Sequence, residues 1–339
     1  MEAVRGRPRR LDGVTLFPFA DYWWFYLGFT LFVVLMLAVD LGIFHRKAHT
    51  VSAQEAARWS AVWVGLALTF NFLFYQYASG TFSPEVGKDL ALQFLAGYVV
   101  EYTLSVDNMF VFVVIFSFFS VPAHLQHRVL FYGILGALVF RAIFIALGSV
   151  LLSYHAVVVV FGALLMLTGV RMVWHDAAQA SPDKNPLVLL TKRLVPITPE
   201  FHGKSFFTRI NGHLHATPLF LALMAIEMSD IVFAIDSVPA IFALTKEPLI
   251  VFTSNVFAIL GLRSLYFLLA AAVARFSLLR FGLAGVLVFI GLKMVWLNPL
   301  YGGHFPIVWS LAIIAALVGG SIVASLLVSK REHPSESHT

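Results

Sequence analysis

Five carboxylates stand where carboxylates are expensive. Glu101 and Asp107 fall inside the apolar run 89–117, and Glu227, Asp230 and Asp236 inside the run 217–243. An acidic side chain at the centre of a membrane helix costs about 2.5–3.5 kcal/mol on insertion scales. Five of them on two helices therefore need compensation. Arg141 and Arg263 also lie within apolar runs and can pair with two of the five. Three carboxylates are then left, which calls for a bound cation or for several protons held between like charges. The plainer reading is structural, with arginine pairing and protonation alone.

The neighbouring donors are all oxygen: Ser105 and Asn108 in the first run, Ser229 and Ser237 in the second. Oxygen donors suit hard ions such as Mg²⁺, Ca²⁺ and Mn²⁺. The chain has no cysteine, and no histidine lies in the cluster, which weighs against Zn²⁺ and Cu⁺. Met109 and Met228 adjoin the acids; a thioether ligand would favour Mn²⁺ over Ca²⁺, whereas the bland alternative is packing. On a helix Glu101, Ser105 and Asn108 share one stripe at i, i+4 and i+7, and Glu227, Asp230 and Ala234 another at i, i+3 and i+7. Asp107 and Asp236 lie about 120° off these stripes. Pro239 is expected to open its helix, freeing the Ile235 carbonyl and letting Asp236 swing inward. Asp40, at the end of the first run, either pairs with Arg46 or Lys47 or lines a cation exit.

These residues sit in a chain of 339 residues that is 60% hydrophobic and 12% charged. Soluble domains carry about 25% charged residues, so an ordinary soluble enzyme is excluded. A helix needs about 20 apolar residues to cross a bilayer. Nine runs qualify: 22–44, 59–78, 89–117, 127–151, 155–174, 217–243, 249–273, 278–298 and 306–328. The first is longer than a secretory signal core and is read as a retained helix. The fold class is an all-α polytopic membrane protein of about nine helices. Residues 175–216, rich in proline and histidine, read as a loop or linker rather than a domain. Their histidines, with the other loop histidines, read as solvated. Thirteen lysines and arginines lie on the side of that linker and of the C-terminus, and six on the other. The linker side is thus expected in the cytoplasm and the N-terminus outside.

Self-comparison adds an internal repeat. Val139-Phe-Arg141 resembles Gly261-Leu-Arg263, and Thr168-Gly169-Val-Arg171-Met172-Val173-Trp174 resembles Ile290-Gly291-Leu-Lys293-Met294-Val295-Trp296, both at an offset of 122. Glu101 and Asp107-Asn108 align with Asp230 and Asp236-Ser237 at an offset of 129. Three helices per unit invert the second copy in the membrane, and inverted repeats place substrate near the midplane between copies. The expected organisation is an N-terminal tail (1–21), two peripheral helices (22–78), repeat 1 (89–174), a cytoplasmic linker (175–216), repeat 2 (217–298), a ninth helix (306–328) and a C-terminal tail (329–339). Arg171 and Lys293 are expected to snorkel to opposite membrane surfaces.

The stretches Gly97-Tyr98-Val-Val-Glu101-Tyr-Thr-Leu-Ser105-Val-Asp107-Asn108 and Glu227-Met-Ser-Asp230-Ile-Val-Phe-Ala-Ile-Asp236-Ser237-Val-Pro239-Ala240 resemble the TerC/Alx family of integral membrane proteins. So do Gln126-His127-Arg128 through Arg141 and Asp40-Leu-Gly-Ile-Phe-His45-Arg46-Lys47. The resemblance runs over about 22–328 and implies a bacterial inner-membrane protein of the LysE transporter superfamily. It further implies ties to tellurite resistance and alkali response, and manganese export, with some members loading metal onto exported enzymes beside the secretion machinery. It carries Glu101, Asp107, Asn108, Glu227, Asp230 and Asp236 over as metal-site residues. Ser105, Ser237, Asp40, Arg141 and Arg263 are further candidates.

The expected function is export of a divalent cation, manganese first, exchanged for protons through the same carboxylates. Its partners are the metal ion as cargo and the lipid bilayer, with the secretion machinery as a further candidate. No prosthetic group and no nucleic acid is expected, and the chain does not read as an enzyme. The rival is an accessory protein that aids metal loading or membrane insertion of exported proteins. An aspartyl protease using Asp107 and Asp236 lacks its Gly-x-Gly-Asp context.

Overall fold

The computed structural model describes residues 15–44, 52–151, 154–174, 186–270, 278–301 and 305–332. Among them the side chains of Asp40, Asp107 and Asp236 lie outside the described residues, although their backbones fall on helices.

Each long apolar run becomes a helix: α1 (Phe19–Phe44), α2 (Ala53–Thr81), α3 (Pro84–Phe118), α4 (Ala123–Leu151) and α5 (His155–Trp174) in the first half. Local chemistry sets the starts. Ser52 and Ser83 accept the backbone N–H of Glu55 and Val86, and Pro84 occupies the first turn of α3, where its missing N–H costs nothing. The second half holds α7 (Pro218–Phe242), α8 (Pro248–Leu260), α9 (Leu262–Ala270), α10 (Leu279–Leu292), a π-helical turn (Lys293–Leu297), α11 (Asn298–Leu300) and α12 (Ile307–Glu332). Helices α8 and α9 meet at 44° across Gly261 and count as one broken span. With that pair, nine spans of membrane length stand among the described residues.

The linker holds more structure than its composition suggested. Between α5 and α7 lie a short helix α6 (Pro186–Leu194) and the antiparallel hairpin β1 (Phe207–Ile210) and β2 (His213–Ala216). Asn211 and Gly212 make the turn, both at positive φ, the pairing that matches the twist of a two-residue hairpin.

The centre of the bundle is α3, covered by α2, α7, α8, α9, α10 and α12. Helix α4 packs on α7 and α8, and α5 on α10. Exchanging α3 with α7, α4 with α8–α9 and α5 with α10 carries the contact α3–α8 onto α7–α4 and leaves α3–α7 and α5–α10 in place. The α5–α10 seam repeats this at residue level. A methyl on Gly291 would sit 2.6 Å from the Gly162 carbonyl oxygen, and one on Gly169 would sit 2.7 Å from that of Ala284. Adding 122 to 162 and to 169 gives 284 and 291, so each contact is the image of the other.

Two expectations change. Helix α7 runs through Pro239 to Phe242 rather than opening there, because the proline sits in the last turn and removes a single helical bond. The Ala243 N–H closes that end onto the Pro239 carbonyl. Helix α3 runs continuously past Asp107, and the break falls on the arginine helix at Gly261. Lys293 does not snorkel: it is 2% exposed, whereas Arg171 is exposed as expected. The cause is the neighbourhood. Helix α5 presents most of its surface outward, but α10 is flanked by α5, α12, α3 and α7.

One end of the bundle is tied by a residue that sequence reading passed over. Glu247, buried at the start of α8, accepts the backbone N–H groups of Leu16 and Phe17 at 2.6 and 3.3 Å. Phe17 is fully buried among Tyr22, Phe74 and Phe82. Residues 16 and 17 therefore share one end of the bundle with the α7–α8 connection. Burial raises the Glu247 carboxyl above its ordinary range, against the opposing effect of the two N–H donors. A raised folded-state value means that folding is favoured below the unfolded value of about 4.3 and loses that contribution as pH climbs through the folded value. Glu247→Gln should thus flatten the rise in thermal stability that this carboxyl is expected to give on acidification. Melting of the detergent-solubilised protein across this range checks it, and an unchanged pH slope would count against the assignment.

Candidate functional site

Both stripes read from spacing face inward. Glu101, Ser105 and Asn108 on α3 are 0, 0 and 4% exposed, and Glu227, Asp230 and Ala234 on α7 are 7, 3 and 1% exposed. Between them stands Arg141 of α4, itself buried. It forms an ion pair with Glu101, and its Nη1 donates to Asn255 Oδ1 at 3.1 Å and to Ser237 Oγ at 3.4 Å. Asn255 of α8 closes the ring by donating from Nδ2 to Glu101 Oε2 at 3.2 Å. Four helices, α3, α4, α7 and α8, therefore meet at one guanidinium. Asp230 acts electrostatically on both Arg141 and Glu227, attracting the first and repelling the second.

The cluster is not fully satisfied. Among the described residues, Glu227 Oε2, Asp230 Oδ1 and Ser105 Oγ are buried without a hydrogen-bond partner, as are Nε and Nη2 of Arg141. A buried polar atom without a partner costs on the order of 1–3 kcal/mol, more when it is charged. Three carboxylates against one arginine leave this group negative when all are ionised. Among the described residues no three His, Asp or Glu side chains converge as a metal-holding group. Asp107 and Asp236, one position from Asn108 and Ser237, and Asp40 are candidates whose side chains lie outside the described residues.

The remaining candidates separate. Arg263 lines a small cleft with Trp59, Trp63, His127 and Ser264, at the α2–α9 contact. Met109 packs in the apolar core, which favours its packing role. The Ser229 hydroxyl donates to the Ala225 carbonyl of its own helix at 2.9 Å.

Two partners were missed in the sequence. Asn255 has no counterpart in the other half, since an offset of 122 leads back to Gly133, and only its polarity within an apolar run marks it. Gly136 lies in the stretch from Gln126 to Arg141 that carries the family resemblance, and the Glu227 carboxylate lies directly over it: any Cβ there would overlap the Oε1, Oε2 and Cδ atoms. Gly136→Ala should push this carboxylate out of place without adding or removing a charge. On the expectation that this cluster holds a metal ion, binding should weaken by about tenfold or more, read by titration of the purified protein, with the protein still folded. Unchanged affinity would remove Glu227 from the site.

Membrane-length helices that meet at buried carboxylates and an arginine define a polytopic membrane protein with a charged site inside its bundle. The chain belongs to the family described as the integral membrane protein TerC family, which residues 86–333 match. It is 51% identical over 311 residues to the uncharacterized membrane protein STKORF319 of Myxococcus xanthus, covering 91% of this chain and 94% of that protein. It is 46% identical over 306 residues to Alx of Escherichia coli (strain K12), whose name describes a membrane-bound redox modulator, covering 90% and 94%. A membrane protein of Rickettsia felis is 36% identical over 299 residues. No solved structure matches. The family inferred from the two acidic motifs is the family found.

Proposed function

We propose that the protein exports a divalent metal cation, manganese before others, through the carboxylate cluster between α3, α4 and α7. The observation that carries this is the imbalance at Glu227 and Asp230: two adjacent buried carboxylates keep oxygens without partners, while the nearby arginine is engaged by Glu101. A permanent structural role would favour full pairing, because a buried charge is tolerated only when it is compensated. A site that alternately takes up and releases a cation has to be left under-compensated. Asp107 and Asp236, next to the two stripes, complete the proposed ligand set with Asn108, and protons return on the same carboxylates.

The exchange symmetry of the helix contacts and of the glycine seam supports two inverted repeats, related through α3–α7 and α5–α10, as the frame for alternating access. The excess of Lys and Arg around the linker supports a cytoplasmic C-terminus and an external N-terminus. Likeness to Alx supports the bacterial inner membrane. As for the redox role in the Alx name, this chain carries no cysteine, so thiol chemistry cannot serve it here; control of a redox-active metal such as manganese could.

The test is flux from proteoliposomes of the purified protein for Mn²⁺, Ca²⁺, Mg²⁺ and Zn²⁺, with a pH gradient imposed or absent. The expected result is Mn²⁺ movement that the pH gradient accelerates. No flux of any ion, with the protein folded and oriented, would favour the accessory reading, in which it aids metal loading of exported proteins.

A further inference from the structure

The linker, which the transport reading leaves idle, carries a surface of its own. Helix α6 buries Val188 and Thr191 and turns Leu189, Leu190 and Leu194 outward, Leu194 at 71% exposure, with Lys192 and Arg193 exposed beside them. Nine residues with two charges are too short and too polar to span a bilayer. The hairpin repeats the pattern. Phe207, Arg209 and Leu214 are exposed, and the register that sets Arg209 opposite Leu214 puts all three on one face. From 186 to 216 the chain has four basic residues, Lys192, Arg193, Lys204 and Arg209, against the single acid Glu200.

This segment is fixed to the bundle rather than hung from it. Helix α6 packs on α7. The Thr217 hydroxyl donates to the Ser205 and Phe206 carbonyls at 2.9 and 3.1 Å. Phe206 meets the Tyr132 ring at 5.2 Å with the Arg128 guanidinium 5.3 Å away, and Phe207 meets Phe220 at 4.4 Å. Tyr132 begins the outward stripe Tyr132, Leu135 and Val139 of α4, all exposed apolar residues on a membrane-length helix. The hairpin is thus docked where the lipid-facing flank of α4 reaches the membrane surface.

We propose that residues 186–216 form an interfacial platform, with the leucines of α6 and the Phe207–Leu214 face of the hairpin lying in the headgroup layer and the basic residues holding anionic phospholipid. Apolar residues interleaved with Lys and Arg are the chemistry of a surface-lying amphipathic element. Continuity with the α4 flank and the basic excess both select a lipid surface over a protein partner, whose interface core is ordinarily poor in charge. The inference stands apart from the transport reading, since it needs neither the carboxylates nor a cation.

The natural lack of cysteine makes the test direct. Leu190→Cys, Leu214→Cys and, as a water-exposed reference, Glu200→Cys are spin-labelled in full-length protein and reconstituted into phosphatidylcholine vesicles with or without phosphatidylglycerol. Collisions with oxygen and with a water-soluble nickel chelate report the surroundings. Labels at 190 and 214 should become oxygen-accessible and nickel-protected when phosphatidylglycerol is present, while the label at 200 stays aqueous. Lys192→Glu with Arg193→Glu should reverse the change at 190 by about fivefold for each basic residue lost, with a label at Val139→Cys, inside α4, confirming an intact bundle. The proposal fails if 190 and 214 stay as nickel-accessible as 200. It also fails if their protection follows protein density rather than lipid charge, for then a second copy covers the face.

Discussion

Arg141→Ala is expected to cost about 3–5 kcal/mol of stability, because it strands a carboxylate in the bundle without its counter-charge. Glu101 is fully buried and its described partners are Arg141 and Asn255. Once the guanidinium is gone, the amide of Asn255 alone cannot offset the desolvation of that charge. Asp230 loses the same positive neighbour. The damage therefore reaches α3, α4, α7 and α8 together. The check is thermal unfolding in detergent beside Arg141→Met combined with Glu101→Gln, which removes both charges and should recover most of the loss. If the single variant melts with the wild type, Arg141 is not the centre of the cluster.

The second large effect is on transport. Asp230→Asn preserves shape and removes one negative charge beside Arg141, so the fold should be kept and the site spoiled. Mn²⁺ flux in proteoliposomes should fall by about 10- to 100-fold at least, taking the effect of altering a group that supports a metal site as the lower bound. Gel-filtration behaviour and melting should stay at or above those of the parent, because a buried carboxylate with an unpartnered oxygen has been neutralised. Wild-type flux from this variant would sink the proposed role of α7.

Sequence made the bundle legible because a bilayer imposes length and polarity on every span, and all nine apolar runs returned as helices or as the bent pair. The inward direction of Glu101, Ser105, Asn108, Glu227 and Asp230 was legible for a related reason: helical spacing fixes which residues share a stripe, and charged stripes turn from lipid. What the spacing could not carry was the identity of partners across helices. Asn255 reaches Glu101 over 154 residues, and Gly136 matters through the space that it leaves. Pro239 misled because the effect of a proline depends on its distance from the helix end. Lys293 misled because it and Arg171, alike in sequence at an offset of 122, meet different neighbours. The linker misled because proline and histidine content hid the short apolar periods of α6 and the Asn-Gly turn.

The α5–α10 seam bears on how this protein would fail. In lipid, helices gain nothing by hiding from water and hold together by close contact. Helix α5 packs mainly against α10, and the seam depends on Gly162, Gly169 and Gly291 bringing the backbones within reach. Damage there would not melt the bundle: it would peel one helix away into the bilayer and leave a lipid-filled groove along α10, a wound at the edge of an otherwise sound molecule.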